Sequence, residues 1–167
     1  MKIPVFVSCP TALSPQQETS RKLILDELKQ HALEPRALGR SDYPTELPLR
    51  EVYLLAKHCA GGIILGFEQF LADTGTWKRG TPEARSASAP IPFPTSWNQL
   101  EAGILFGLGL PLLVFKENGI GGGIFDPGVT DVFVHPMPVP PLSRANRSGL
   151  AEVFRKWQAG VRTHYYR

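Results

Sequence analysis

Thr95-Ser-Trp-Asn-Gln-Leu-Glu-Ala-Gly-Ile-Leu-Phe-Gly-Leu-Gly-Leu-Pro-Leu-Leu-Val-Phe115 reads as a loop, a helix cap, a helix, a glycine stop and a buried strand. Ser96 or Thr95 can accept from the orphan N–H groups of a first helical turn. Leu100, Ile104 and Leu108 then recur at four-residue spacing, and Leu105 and Phe106 widen the apolar face. Gly107 and Gly109 weaken the helix end, and Pro111 forbids its continuation. Leu112 to Phe115 is an apolar run suited to a strand covered on both faces. Glu101 is the one acidic residue between Glu83 and Glu117, set near the start of an otherwise uncharged helix. That placement is the main functional clue.

Working outward, Ile3 to Cys9 reads as a buried first strand, rich in β-branched and aromatic residues. Ser14 as cap, Pro15 at the first helical position and Glu18 as its partner open a helix that buries Leu23, Ile24, Leu28 and Leu25. Leu33 to Leu38 is a short second strand, pushed toward a sheet edge by Pro35. A polar loop over Gly39 to Pro44 follows, then a helix from Pro48 to Cys59 with Val52, Leu55 and Ala56 inward. Gly61 to Gly66 is the clearest central strand, and Asp131 to His135 a fifth candidate. A helix over 143–160 closes the chain on Leu150, Val153, Phe154 and Trp157. Strands and helices in alternation predict an α/β protein with a doubly wound, mostly parallel five-stranded sheet. Residues 68–95, with four prolines at 82, 90, 92 and 94, form a long insertion that leads into the Glu101 helix. Such loops are lids or disordered segments, and a substrate-shaping loop is expected. Gly119 to Gly123 reads as a flexible turn and fits neither a dinucleotide fingerprint nor a Walker loop.

The totals narrow the class. With 167 residues, 43% hydrophobic and 20% charged, a single domain over 1–167 with a real core is expected. No apolar run approaches the roughly 20 residues of a membrane span. The opening segment lacks the apolar region of a signal peptide, so a cytoplasmic, reduced protein is expected. Cys9 and Cys59 suggest neither a disulfide framework nor a metal site, and His31, His58, His135 and His164 stand apart. The net charge of +3 is concentrated in the tail at Arg144, Arg147, Arg155, Lys156, Arg162 and Arg167. No aromatic–basic motif accompanies it, so a solvated helix face is expected there and not a nucleic-acid surface.

In a parallel sheet every strand delivers its carboxyl end to one rim, where ligands of such folds bind. That rim gathers Ser8, Pro10 and Thr11, then Arg40, Ser41, Asp42 and Tyr43. It also gathers Phe67, Glu68 and Gln69, and Ser96, Trp97, Asn98 and Glu101 from the helix. An aromatic platform, a carboxylate and several amides and hydroxyls suit a nucleoside-like ligand. Each has a plainer reading as well. Glu101 complements the positive end of its helix by ~0.3–1 kcal/mol, Trp97 suits a core, Arg40 and Asp42 suit a surface pair, and Ser8 suits a strand cap.

Ser96-Trp97-Asn98-Gln99-Leu100-Glu101-Ala102-Gly103, followed by Gly107-x-Gly109-x-Pro111, resembles the nucleoside 2-deoxyribosyltransferase-like and Toll/interleukin receptor (TIR)-like superfamily of N-glycosidic-bond enzymes. The strand ends at Ser8-Cys9-Pro10 and Gly66-Phe67-Glu68 are similar to the same group. The resemblance implies a flavodoxin-like three-layer sandwich and cleavage between a base and C1′ of ribose. Glu101 takes the place of the group's catalytic glutamate. Ser8, Pro10, Arg40, Asp42, Phe67, Glu68, Trp97 and Asn98 are the candidate substrate contacts. NAD or a related nucleotide is then the substrate, hydrolysed or cyclised with no metal and no redox cofactor, in a homo-oligomer with a bacterial defence or stress role. Deoxyribosyl transfer and a non-catalytic nucleotide-sensing or partner-binding module are the alternatives. The transferases carry an aspartate pair near the glutamate, for which only Asp73 and Asp42 offer themselves, and the proline-rich insertion has no counterpart in the group.

Overall fold

The computed structural model describes residues 2–39 and 47–167. The chain runs β1 (Ile3–Ser8), α1 (Pro15–Gln30), β2 (Leu33–Arg36), α2 (Pro48–Lys57) and β3 (Gly62–Gly66). The insertion follows as four short strands, β4 (Phe70–Ala72), β5 (Thr76–Trp77), β6 (Arg85–Ser86) and β7 (Ile91–Phe93). Then come α3 (Ser96–Gly107), β8 (Leu112–Lys116), β9 (Val134–Pro136) and α4 (Arg144–Tyr165).

Five strands form one parallel sheet in the order β2-β1-β3-β8-β9. This is the doubly wound, flavodoxin-like order. Side chains alternate across it as a strand demands. Val5, Val7, Ile63, Leu65, Leu113 and Phe115 pack with Ile24, Leu28, Phe154 and Trp157 of α1 and α4. Phe6, Ile64, Leu112 and Val114 pack with Val52 and Ala56 of α2 and Ala102 and Leu105 of α3. The three inner strands β1, β3 and β8 thus carry apolar residues on both faces, and the protein is a three-layer α/β sandwich.

Local chemistry explains the boundaries. Ser14 caps α1, but its partner in the capping box is Gln17 and not Glu18. Glu18 pairs with Arg21 instead. Pro35 sits in the edge strand β2, where a missing N–H is tolerated. β9 begins later than the sequence suggests because only Val134 to Pro136 stand opposite Val114 to Lys116. α4 runs on to Tyr165 because Val161 extends its buried stripe by a turn. The Trp157 indole N–H donates to the Pro111 carbonyl (3.0 Å), and the Gln158 amide donates to the His31 carbonyl (2.7 Å), fixing α4 to the sheet and to α1.

The insertion is ordered as two antiparallel ribbons, β4 with β7 and β5 with β6. Phe93 lies against the rings of Phe70 and Trp77, at 6.3 and 6.1 Å between centroids. The backbone bond from Gln69 N–H to the Phe93 carbonyl (2.9 Å) closes its base. No helix among the described residues is long and apolar enough to cross a membrane.

Candidate active site

The strand order reverses between β1 and β3, and a cleft of about 340 Å³ opens at their carboxyl ends. Cys9, Pro10 and Thr11 after β1, Leu38 and Gly39 after β2, Gln69 after β3, and Thr95, Trp97 and Glu101 of α3 are on its walls, with Pro48 at the start of α2. Among the described lining residues Glu101 is the single carboxylate.

The helix that carries it starts at Thr95, whose hydroxyl accepts from the Trp97 N–H at 3.2 Å. Its inward face overlaps the expected one: Leu105 is buried, and Ile104 and Leu108 are half-buried against the same cluster. Asn98 and Ala102 are buried as well, while Leu100 and Phe106 are 48% and 52% exposed. The face is turned toward Asn98, which it sets against β1 and β3. Trp97, 40% exposed, stands on the cleft wall.

Beneath the cleft lies a buried polar chain. The Asn98 side-chain amide donates to Ser8 Oγ at 2.8 Å and, at 3.4 Å, to the Leu65 carbonyl. Burial pushes the Glu101 carboxyl up from 4.5 to about 7, because a charged carboxylate there is poorly solvated; the Ser8 hydroxyl opposes that rise. Glu101 therefore changes charge near neutral pH, in the range that suits acid, base or nucleophilic work.

The expected contacts divide. Pro10, Trp97 and Glu101 share the cleft wall, and Ser8 and Asn98 lie directly behind it. Phe67 is fully buried in the α1/α4 core and is no wall residue, since the strand alternation turns it away from the cleft. Glu68 is exposed, and its backbone N–H, not its carboxylate, is engaged, donating to Glu117 Oε2 at 2.6 Å. Asp73 is exposed between β4 and β5 and does not line the cleft. Arg40 and Asp42 lie outside the described residues.

Two supports escaped the sequence reading. Glu117, at the carboxyl end of β8, also accepts from the Gln17 side chain at 3.0 Å, tying the β3 exit to α1. A carboxylate ending a buried strand was the available signal. Gln99 holds the glycine turn that looked flexible, donating to the Gly122 carbonyl and accepting from the Ile124 N–H, each at 3.0 Å. A Cβ on Gly123, where φ is +57°, would overlap the Gln99 amide, so the tie needs glycine there.

A second hollow of about 650 Å³ lies between the ribbons, the start of α3 and this turn, with Trp77, Arg85, Phe93 and Gln99 on its walls. Thr95 borders both hollows. No three His, Cys, Asp or Glu side chains among the described residues are grouped to hold a metal ion. No protein-family model, curated protein or solved structure matches the chain.

Proposed function

We propose that this protein is an N-glycosidase that breaks the base–ribose bond of NAD or a related nucleotide, by hydrolysis or cyclisation, as the TIR-like and deoxyribosyltransferase-like enzymes it resembles do. The observation that carries the reading is the Glu101 carboxyl, poised near neutral pH in a cleft at the switch point and one helical turn from the Trp97 ring. In the ionised state it attacks C1′ or holds the ribose hydroxyls while positive charge grows on the sugar. Trp97 offers a face on which the base stacks.

A cleft with one carboxylate among its described wall residues favours a leaving group that needs no proton. Nicotinamide leaves NAD as a neutral base, the C1′–N electron pair passing to its ring nitrogen. Water then bonds to C1′ and gives up a proton, or a ring nitrogen of the adenine bonds there and the exocyclic amine gives up the proton. Where Glu101 had bonded to C1′, that bond breaks and the carboxylate is regenerated. The hollow bordered by Trp77 and Arg85 gives room and a positive charge for the second half of a dinucleotide. In this reading the protein acts in the cytoplasm as a homo-oligomer, supported by the apolar side chains that α2 and α3 leave exposed, Leu49, Leu54, Leu100 and Phe106 among them.

Incubating wild type and Glu101→Gln with NAD, and separately with deoxynucleosides plus free bases, sorts the readings by product mass. Nicotinamide release that disappears in the variant is expected. Base exchange would establish the transferase, and binding without turnover in either mixture would establish a sensor.

A further inference from the structure

We propose that the hollow between the ribbons, the start of α3 and the glycine turn is a nucleoside-diphosphate subsite, with Trp77 as the platform for the base and Arg85 as the partner of the phosphates. The proposal rests on the reading of a dinucleotide substrate, and adds that this half is held even where the reacting half is absent. The β5–β6 ribbon sets Trp77 directly opposite Arg85. Side chains so paired share one face of a ribbon, about 5 Å apart at their Cβ atoms. An indole and a guanidinium are thus turned the same way, and both are on the wall of the hollow of about 650 Å³. Phe93 meets the indole at 6.1 Å with a tilt of 48°, which steadies the ring while Trp77 stays 42% exposed.

Charge sorts the two halves of the ligand. Lys78, in the turn between β5 and β6, is paired with Glu83 of the same turn, whereas Arg85 has no carboxylate partner among the described residues. The described walls of the Glu101 cleft carry a carboxylate and no cation, so phosphates are repelled there and matched at the ribbons. A ring beside an unmatched guanidinium fits a base beside an anion. Asp126 is the other charged group on this wall. Its Oδ1 already accepts from the Gly122 N–H at 2.7 Å, which leaves its other oxygen for a ribose hydroxyl. Gln99 fixes the glycine turn behind it through Gly122 and Ile124. Thr95 borders both hollows, so a ligand that spans them sets its reacting sugar at Glu101 and its phosphates at Arg85.

ADP titrated into the full chain tests this, because the three tryptophans report separately. Trp157 is buried and gives a constant background. ADP is expected to quench indole fluorescence in Trp97→Phe and to leave it unchanged in Trp77→Phe. By calorimetry, Arg85→Ala should weaken ADP binding roughly tenfold and adenosine binding hardly at all. Quenching of the same size in Trp77→Phe, or an unchanged ADP affinity in folded Arg85→Ala, would overturn the proposal. ADP held at Trp77 by a protein that releases no nicotinamide from NAD would uphold the subsite and defeat the glycosidase reading. Nicotinamide release without ADP binding would do the reverse.

Discussion

The two faces of the sheet are built to different ends. Against one lie α1 and α4, of 16 and 22 residues, each opened by a serine whose side chain accepts from its first turn. Their contacts, among them Ile24, Leu28, Phe154, Trp157 and Val161, join one apolar cluster. Against the other lie α2 and α3, of only 10 and 12 residues. α2 has no side-chain cap bond, and α3 buries an amide where an aliphatic residue would pack better. The first face stabilises the fold. The second gives up part of that stability to hold a carboxyl in a poorly solvated place, a pattern common at reactive sites.

The largest expected effect sharpens this contrast. Phe154→Ala should destabilise the protein by about 3–5 kcal/mol, since a fully buried ring between Phe115 and Trp157 is lost. In the dissociated protomer Leu100→Ala, on the outer side of α3, should change stability by about 0.5 kcal/mol or less. Urea unfolding of both, at a dilution where no oligomer remains, measures the difference. Equal losses there would mean that the two faces are alike.

Next in size is a pH effect at Glu101. Its folded-state value of about 7 lies above the ordinary 4.5, so the neutral form favours the fold. The contribution is full below pH 4.5 and is lost as pH rises through about 7. At 1.36 kcal/mol per unit the loss is at most about 3 kcal/mol. Glu101→Gln, neutral at every pH, should therefore gain stability over wild type from pH 5 to pH 8 while losing activity. A variant less stable than wild type by the same amount at both pH values would remove the stability–function trade from that face.

The smallest effect concerns the ribbons. Arg85→Ala should raise KM for NAD by about tenfold or less, the scale of one exposed ionic contact. KM for nicotinamide riboside and the melting temperature should stay unchanged. An equal rise for both substrates would separate the second hollow from the first.

The sheet was legible in the sequence because apolar runs such as Gly61 to Gly66 and Leu112 to Phe115 have no other use in a chain of this kind. The edge position of β2 was legible from Pro35. The face of α3 was legible in part: Ile104, Leu105 and Leu108 pack inward as their spacing suggests, but the burial of Asn98 in place of Leu100 was not, because only contact with β1 and β3 gives an amide that position. The insertion misled for a related reason. Its prolines and glycines read as loop, whereas pairing of Phe70 with Phe93 and of Trp77 with Arg85 across the gap needs partners that local sequence cannot display. Glu101 stood out by its solitude, while Ser8 reached Asn98 only through the fold, from far along the chain.

The rate of nicotinamide release from NAD against pH, measured for wild type and Glu101→Gln, bears most directly on the role given to Glu101. The rate should rise through an apparent pKa near 7, the value to which burial brings this carboxyl, and vanish in the variant. A flat profile, or release that survives in Glu101→Gln, would contradict that role.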